Sequence, residues 1–141
     1  MPCGRFARDV LKLVFAIRRR SDLSPEEFHR YWLQEHGPLA RSLLEPLGVR
    51  RYVQTHTVAP ELNAALASGR GTAEAYDGLA EIWWESLDAF VAASTSEEGR
   101  RANETLAEDE SRFIDLERSS LFTAEEHPIL DEARESPHQS P

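Results

Sequence analysis

The chain reads as an α+β domain, two strand-helix-strand units sharing one antiparallel sheet with both helices on one face. Three observations carry this. Residues 10–17 and 78–84 are short runs rich in branched and aromatic side chains, of strand length. Each precedes a helical stretch behind a capping residue, Ser24 in the first half and Ser86 in the second. Residues 49–58 alternate in the manner of a strand with two distinct faces. The order is that of a ferredoxin-like split sheet.

Residues 10–17 form the first strand and end in Arg18-Arg19-Arg20, a solvated turn. Ser24 then caps a helix, with Pro25 suited to its first position and Glu27 completing a capping box. Phe28, Trp32, His36, Leu39 and Leu43 fall on one helical stripe. Gly37-Pro38 should break that helix, since proline removes a backbone donor, and a further turn carries residues 39–44. Gly48 opens the second strand, with Tyr52, Gln54 and His56 on one face and Arg51, Val53, Thr55 and Thr57 on the other. Residues 60–67 form a short helix ended by Ser68-Gly69-Arg70-Gly71, so 60–76 is an insertion between strands.

In the third strand, residues 78–84, Leu79, Glu81 and Trp83 share one face, and Ala80, Ile82 and Trp84 the other. A helix over 87–93 follows, then one from Thr95-Ser96 to about 111 with Ala102 and Leu106 inward. Residues 112–116 are strand-like, and 121–130 contain a last extended segment. Residues 10–130 thus form the domain, flanked by a flexible segment 1–9 and a polar, proline-containing tail 131–141 that reads as disordered. Strands apolar at both parities want cover on both sides, which predicts a homodimer packed sheet to sheet.

At 141 residues the chain is one domain with room for a hydrophobic core, and its net charge of -9 disfavours nucleic-acid or anionic-membrane partners. Cys3 cannot form an internal disulfide, and no run has signal-peptide or membrane-spanning length; a cytoplasmic protein is expected. There is no cysteine cluster, His-Glu-x-x-His or close histidine pair for a metal, no phosphate loop and no nucleophile elbow, so neither metal nor cofactor is expected.

His36 is the leading chemical candidate, an imidazole aimed at the interior beside a break that would open a pocket; an ordinary core histidine is the alternative. His56 shares a face with Tyr52 and Gln54 that could line a cavity. His127 lies on the last extended segment. Phe15, Tyr31, Trp32, Trp83 and Trp84 offer apolar, stacking surface, or simply core. Glu81 interrupts an apolar strand, either paired with an arginine such as Arg51 or acting as an acid/base; Asp115 raises the same question. His29 reads as solvent-facing.

Residues 12–19, Ser24-Pro25-Glu26-Glu27-Phe28, Tyr31-Trp32, His36-Gly37-Pro38-Leu39-Ala40, residues 76–84, Phe113-Ile114-Asp115 and Glu125-Glu126-His127 together resemble the EthD family. The likeness covers about residues 10–130. It implies a dimeric α+β barrel, and relatives that include aromatic polyketide enzymes, cofactor-free monooxygenases, cyclases and isomerases. It also supports an inward role for His127. The expectation is a small homodimeric enzyme needing no cofactor. It would act on an apolar aromatic, polyketide-like or xenobiotic small molecule by proton transfer: decarboxylation, dehydration, cyclisation or isomerisation. His36 would be the acid/base, with His127 or Tyr52 stabilising oxyanion charge. Phe15, Tyr31, Trp32, His56, Glu81, Trp83 and Trp84 would hold substrate. The alternatives are a cofactor-free monooxygenase and a non-catalytic ligand-binding accessory of a monooxygenase pathway.

Overall fold

A computed structural model describes residues 10–132; the expected flexible N-terminus and most of the expected tail lie outside them. The elements run β1 (Leu11–Ile17), α1 (Pro25–Tyr31), a π-helical turn (Trp32–His36), α2 (Gly37–Leu47), β2 (Val49–His56), α3 (Pro60–Arg70), β3 (Gly78–Trp84), α4 (Leu87–Thr95), α5 (Glu97–Glu110), a 3-10 turn (Leu116–Arg118) and β4 (Ser120–Ala124). The strands order as β2-β3-β1-β4, with each neighbouring pair antiparallel. This is the ferredoxin-like α+β architecture expected from the order of elements.

The first helix begins as its capping box dictates: the Ser24 hydroxyl accepts from the Glu27 N–H and the Glu27 carboxylate from the Ser24 N–H. It does not break at Gly37-Pro38. The chain instead widens by one residue, and the Gly37 N–H reaches back five residues to the Trp32 carbonyl. The wider turn absorbs the donor that Pro38 lacks, so helix continues to Leu47. Gly48, at φ 71°, takes the left-handed cap that returns the chain to the sheet.

Strand register decides which side chains face the helices. Phe15 pairs with Ala80 and Tyr52 with Ile82, which puts these side chains on the helix-facing side. A bulge between Val49 and Arg51 adds a residue to β2, so Val49 and Tyr52, three apart, end on that same side. Residues 112–116 make an isolated bridge, Arg19 to Ile114, rather than a strand. Ser86 and Ser96 cap α4 and α5 through bonds from Ala89 and Gly99.

Phe15, Ile17, Phe28, Trp32, Ala80, Phe113 and Ile114 form the packed core. Phe28 and Phe113 are fully buried, their rings 5.8 Å apart, each contributing about 2–3 kcal/mol of burial. On the opposite face of the sheet, Lys12 bonds Glu81 at 2.8 Å and Glu126 at 3.2 Å. Trp83 lies there beneath the Arg51 guanidinium and donates to Glu126. Phe122, opposite Val14, remains about half exposed on this face.

Candidate active site

Between the helix-facing side of the sheet and the helices lies a cavity of about 340 Å³. Phe15, Tyr52, Ala80 and Ile82 form its floor, Leu44 and Leu47 of α2 one wall, and Leu106, Ala107 and Glu110 of α5 another. Trp84 closes one end against Phe90, edge to face at 4.8 Å, and its indole N–H donates to the Leu47 carbonyl at 2.7 Å. That bond pins the C-terminus of α2 to β3 and fixes the width of the cavity.

Two titratable side chains line this apolar space, Glu110 and Tyr52. Burial, then the nearby charge of Asp109, pushes the Glu110 carboxyl up to about 7. Among the described residues no group hydrogen-bonds that carboxyl. Burial, and then the charge of Glu110, raises Tyr52 well above the ordinary phenol range, so its hydroxyl remains a donor. A carboxyl poised near neutrality beside a protonated phenol, in a space of small-molecule size, is equipped to take a proton and stabilise the oxyanion that results.

His36 is next door rather than in the cavity. Its ring is buried (2% exposed) against Phe113, and Nδ1–H donates to Asp109 Oδ2 at 2.7 Å. Burial lowers its pKa by more than Asp109 raises it, so the ring is neutral. Burial would raise the Asp109 pKa, but bonds from Tyr31 (2.6 Å), His36 and Arg112 (3.0 Å) outweigh it and hold the carboxylate charged. Asp109 is therefore a fixed buried anion adjoining Glu110, and His36 and Tyr31 are its anchors.

Of the residues expected at a site, the structure brings Tyr52, Phe15 and Trp84 to the cavity. The others lie elsewhere. Trp32 is core, stacked on His56 at 4.2 Å. His56 bonds Gln54 and His29 at the far end of β2. Glu81 and Trp83 sit on the opposite face of the sheet, because their parity in β3 is the reverse of Ala80 and Ile82; Glu81 pairs with Lys12, not Arg51. His127 is exposed and faces Glu125. His29 is half-buried rather than solvent-facing. Glu110 is not among the residues expected from the sequence, although it continues the stripe of Ala102 and Leu106 at four-residue spacing. Among the described residues no three His, Cys, Asp or Glu side chains converge as a metal cluster, and no helix is long and apolar enough to cross a membrane.

Known proteins share this architecture. The chain is 24% identical over 115 residues to dehydratase ustZ of Ustilaginoidea virens, covering 79% of this chain and 80% of that protein. It is 24% identical over 117 residues to the conidial pigment biosynthesis dehydratase EthD of Metarhizium robertsii, covering 81% and 80%. In fold it is similar to the crystal structure of an EthD family protein from Bacillus halodurans, with a TM-score of 0.56, 20% identity and coverage of 84% of this chain and 99% of that one. The EthD domain model matches residues 20–117, and the chain belongs to the EthD domain family.

Proposed function

We propose that this chain is a small cofactor-independent enzyme that eliminates water from an apolar aromatic or polyketide-like β-hydroxyketone. The observation that carries the reading is Glu110, a carboxyl without a hydrogen-bond partner among the described residues, lining an apolar cavity beside Tyr52. The relatives named dehydratases support the choice of reaction among the proton transfers such a pair can perform.

In this mechanism the ionised Glu110 removes the proton from the carbon next to the substrate carbonyl. Tyr52 O–H donates to the carbonyl oxygen as enolate charge develops. When the enolate collapses, the carbon–oxygen bond to the β-hydroxyl breaks and the new carbon–carbon double bond forms. Glu110 returns its proton to the departing hydroxyl, so water leaves and the carboxylate is restored. Phe15, Ile82 and Trp84 hold the apolar body and exclude solvent. His36 supports Asp109 rather than touching substrate.

The test is conversion of aryl β-hydroxyketones, such as 3-hydroxy-1-phenylpropan-1-one, to the enone, followed by ultraviolet absorption. Glu110→Gln should lose at least about 100-fold in turnover. Full activity in that variant, or turnover that requires dioxygen, would overturn the proposal.

The second copy expected from the sequence would cover the face bearing Val14, Val53, Leu79 and Phe122, apolar groups around the Lys12–Glu81 pair. Sedimentation of the protein should give a dimer, and Phe122→Asp should give a monomer. A monomeric parent protein would refute the pairing.

A further inference from the structure

The ring of His29, on α1, meets that of His56, on β2, Nδ1 to Nδ1 at 2.7 Å. Only one proton can lie in that contact, and the neighbours decide whose it is. The Trp32 carbonyl, which also takes the Gly37 N–H of the π-helical turn, can only accept; Gln54 therefore presents Nε2–H to it at 2.9 Å. That turns the Gln54 Oε1 toward His56 Nε2, 2.7 Å away, and an amide oxygen can only accept. His56 must carry its proton on Nε2, leaving Nδ1 as acceptor. His29 must then donate from Nδ1, which leaves a lone pair on Nε2. Burial lowers the pKa of both rings, so each is neutral near pH 7.

His29 also lines a cleft of about 870 Å³ that shares no lining residue with the cavity of Glu110. One wall is apolar, with Val58 before α3 and Pro60, Ala64 and Ala67 along it; Tyr76 and Asp77 form the other. The polar groups do not suit an anion. Glu26, Glu74 and Asp77 are acidic, and the Arg19 guanidinium is committed to the Leu23 carbonyl and Asp77. Thr57 and Asn63, also in the lining, donate to the Tyr76 and Val58 carbonyls, and among the described residues no hydrogen bond reaches Nε2 of His29.

We propose that this cleft is a second small-molecule site that takes a neutral hydroxylated aromatic, its O–H donating to His29 Nε2 and its ring lying against Val58 and Ala64. The Trp32 carbonyl at the head of the π-helical turn fixes the acceptor, because it orients Gln54, Gln54 orients His56, and His56 orients His29. Short π-helical turns recur at functional positions.

The probes are 2-naphthol and its methyl ether, 2-methoxynaphthalene, followed by long-range proton–nitrogen NMR of the histidine rings. The free protein should show His29 as the Nδ1–H tautomer and His56 as Nε2–H. 2-Naphthol should shift the His29 Nε2 resonance, and the methyl ether should leave it in place. His29→Phe should weaken 2-naphthol binding about fivefold, the worth of one hydrogen bond. Ala64→Trp, at an exposed position, should abolish the shift by filling the cleft while leaving both tautomers intact. A free protein with His29 protonated on Nε2, equal shifts from both probes, or a naphthol shift that survives Ala64→Trp would overturn the site.

Discussion

His36 donates to Asp109 across 2.7 Å in a region where both side chains are almost wholly buried, and Asp109 adjoins Glu110 at the cavity wall. This arrangement separates two roles that a sequence reading merges. His36, the expected acid/base, bonds a buried carboxylate, and the charge of that carboxylate acts on the group that lines the cavity; in the proposed mechanism His36 is a positioning residue. His36→Ala would strip Asp109 of a donor and leave a hole against Phe113. It should destabilise the fold by about 3 kcal/mol in urea unfolding. His36→Gln, which retains a donor, should keep most of its turnover where Glu110→Gln does not.

Glu110 gives stability a definite pH dependence. Its folded pKa is raised to about 7 from 4.5, so between these values the folded state binds more protons than the unfolded one. Its contribution is fully present below pH 4.5 and is lost as pH rises through 7, amounting to about 3 kcal/mol. Glu110→Gln should therefore be more stable than the parent at pH 8 by up to about 3 kcal/mol, and nearly equal to it at pH 4. Denaturation at the two pH values checks this, and an unchanged difference would show that Glu110 titrates normally.

Asp109→Asn keeps the shape of the buried network and removes its charge. Burial still raises the Glu110 pKa, but the second contribution disappears. The Glu110 pKa, followed by carboxyl-carbon NMR, should move down toward the ordinary carboxylate range. The low-pH limb of the turnover profile should move to lower pH with it.

Tyr52→Phe keeps the ring on the cavity floor and removes the donor. Turnover should fall by about 100-fold, the scale of losing one oxyanion donor, and thermal stability should change little because no described group bonds that hydroxyl.

Gly78 shows how closely the sheet is packed beneath the helix. A Cβ there would come within 2.6 Å of the Thr55 carbonyl and would collide with the Trp32 ring. Gly78→Ala should cost about 2–3 kcal/mol in chemical denaturation and disturb the stacking of Trp32 on His56.

The fold was legible because its signals are local. The capping box at Ser24, the alternation of Tyr52, Gln54 and His56, and the split parity of β3 each follow from the period of an element. The candidate site was less so. Glu110 stands among many glutamates on a polar helix, and only its four-residue spacing from Ala102 and Leu106 marks it as inward. Proline after glycine reads as a helix break, yet one five-residue hydrogen bond carries the helix through Gly37-Pro38. Neither the bulge in β2 nor the meeting of His29 with His56 has any signature in residue type; both depend on how distant segments register.

The extra residue in the turn from Trp32 to His36 is taken up within that turn, so the helix beyond it keeps its face. Deleting Gln34 would bring Gly37 to four residues from Trp32, and the bond between them would become an ordinary helical one, leaving Gly37–Leu47 turned toward the sheet nearly as before. Leu44 and Leu47 would still wall the hollow, and the Trp32 carbonyl would still stand opposite the Gln54 amide. A single-codon change on the outer helix would thus remove the bulge and leave both ends of the molecule, and its secondary structure content, nearly unaltered.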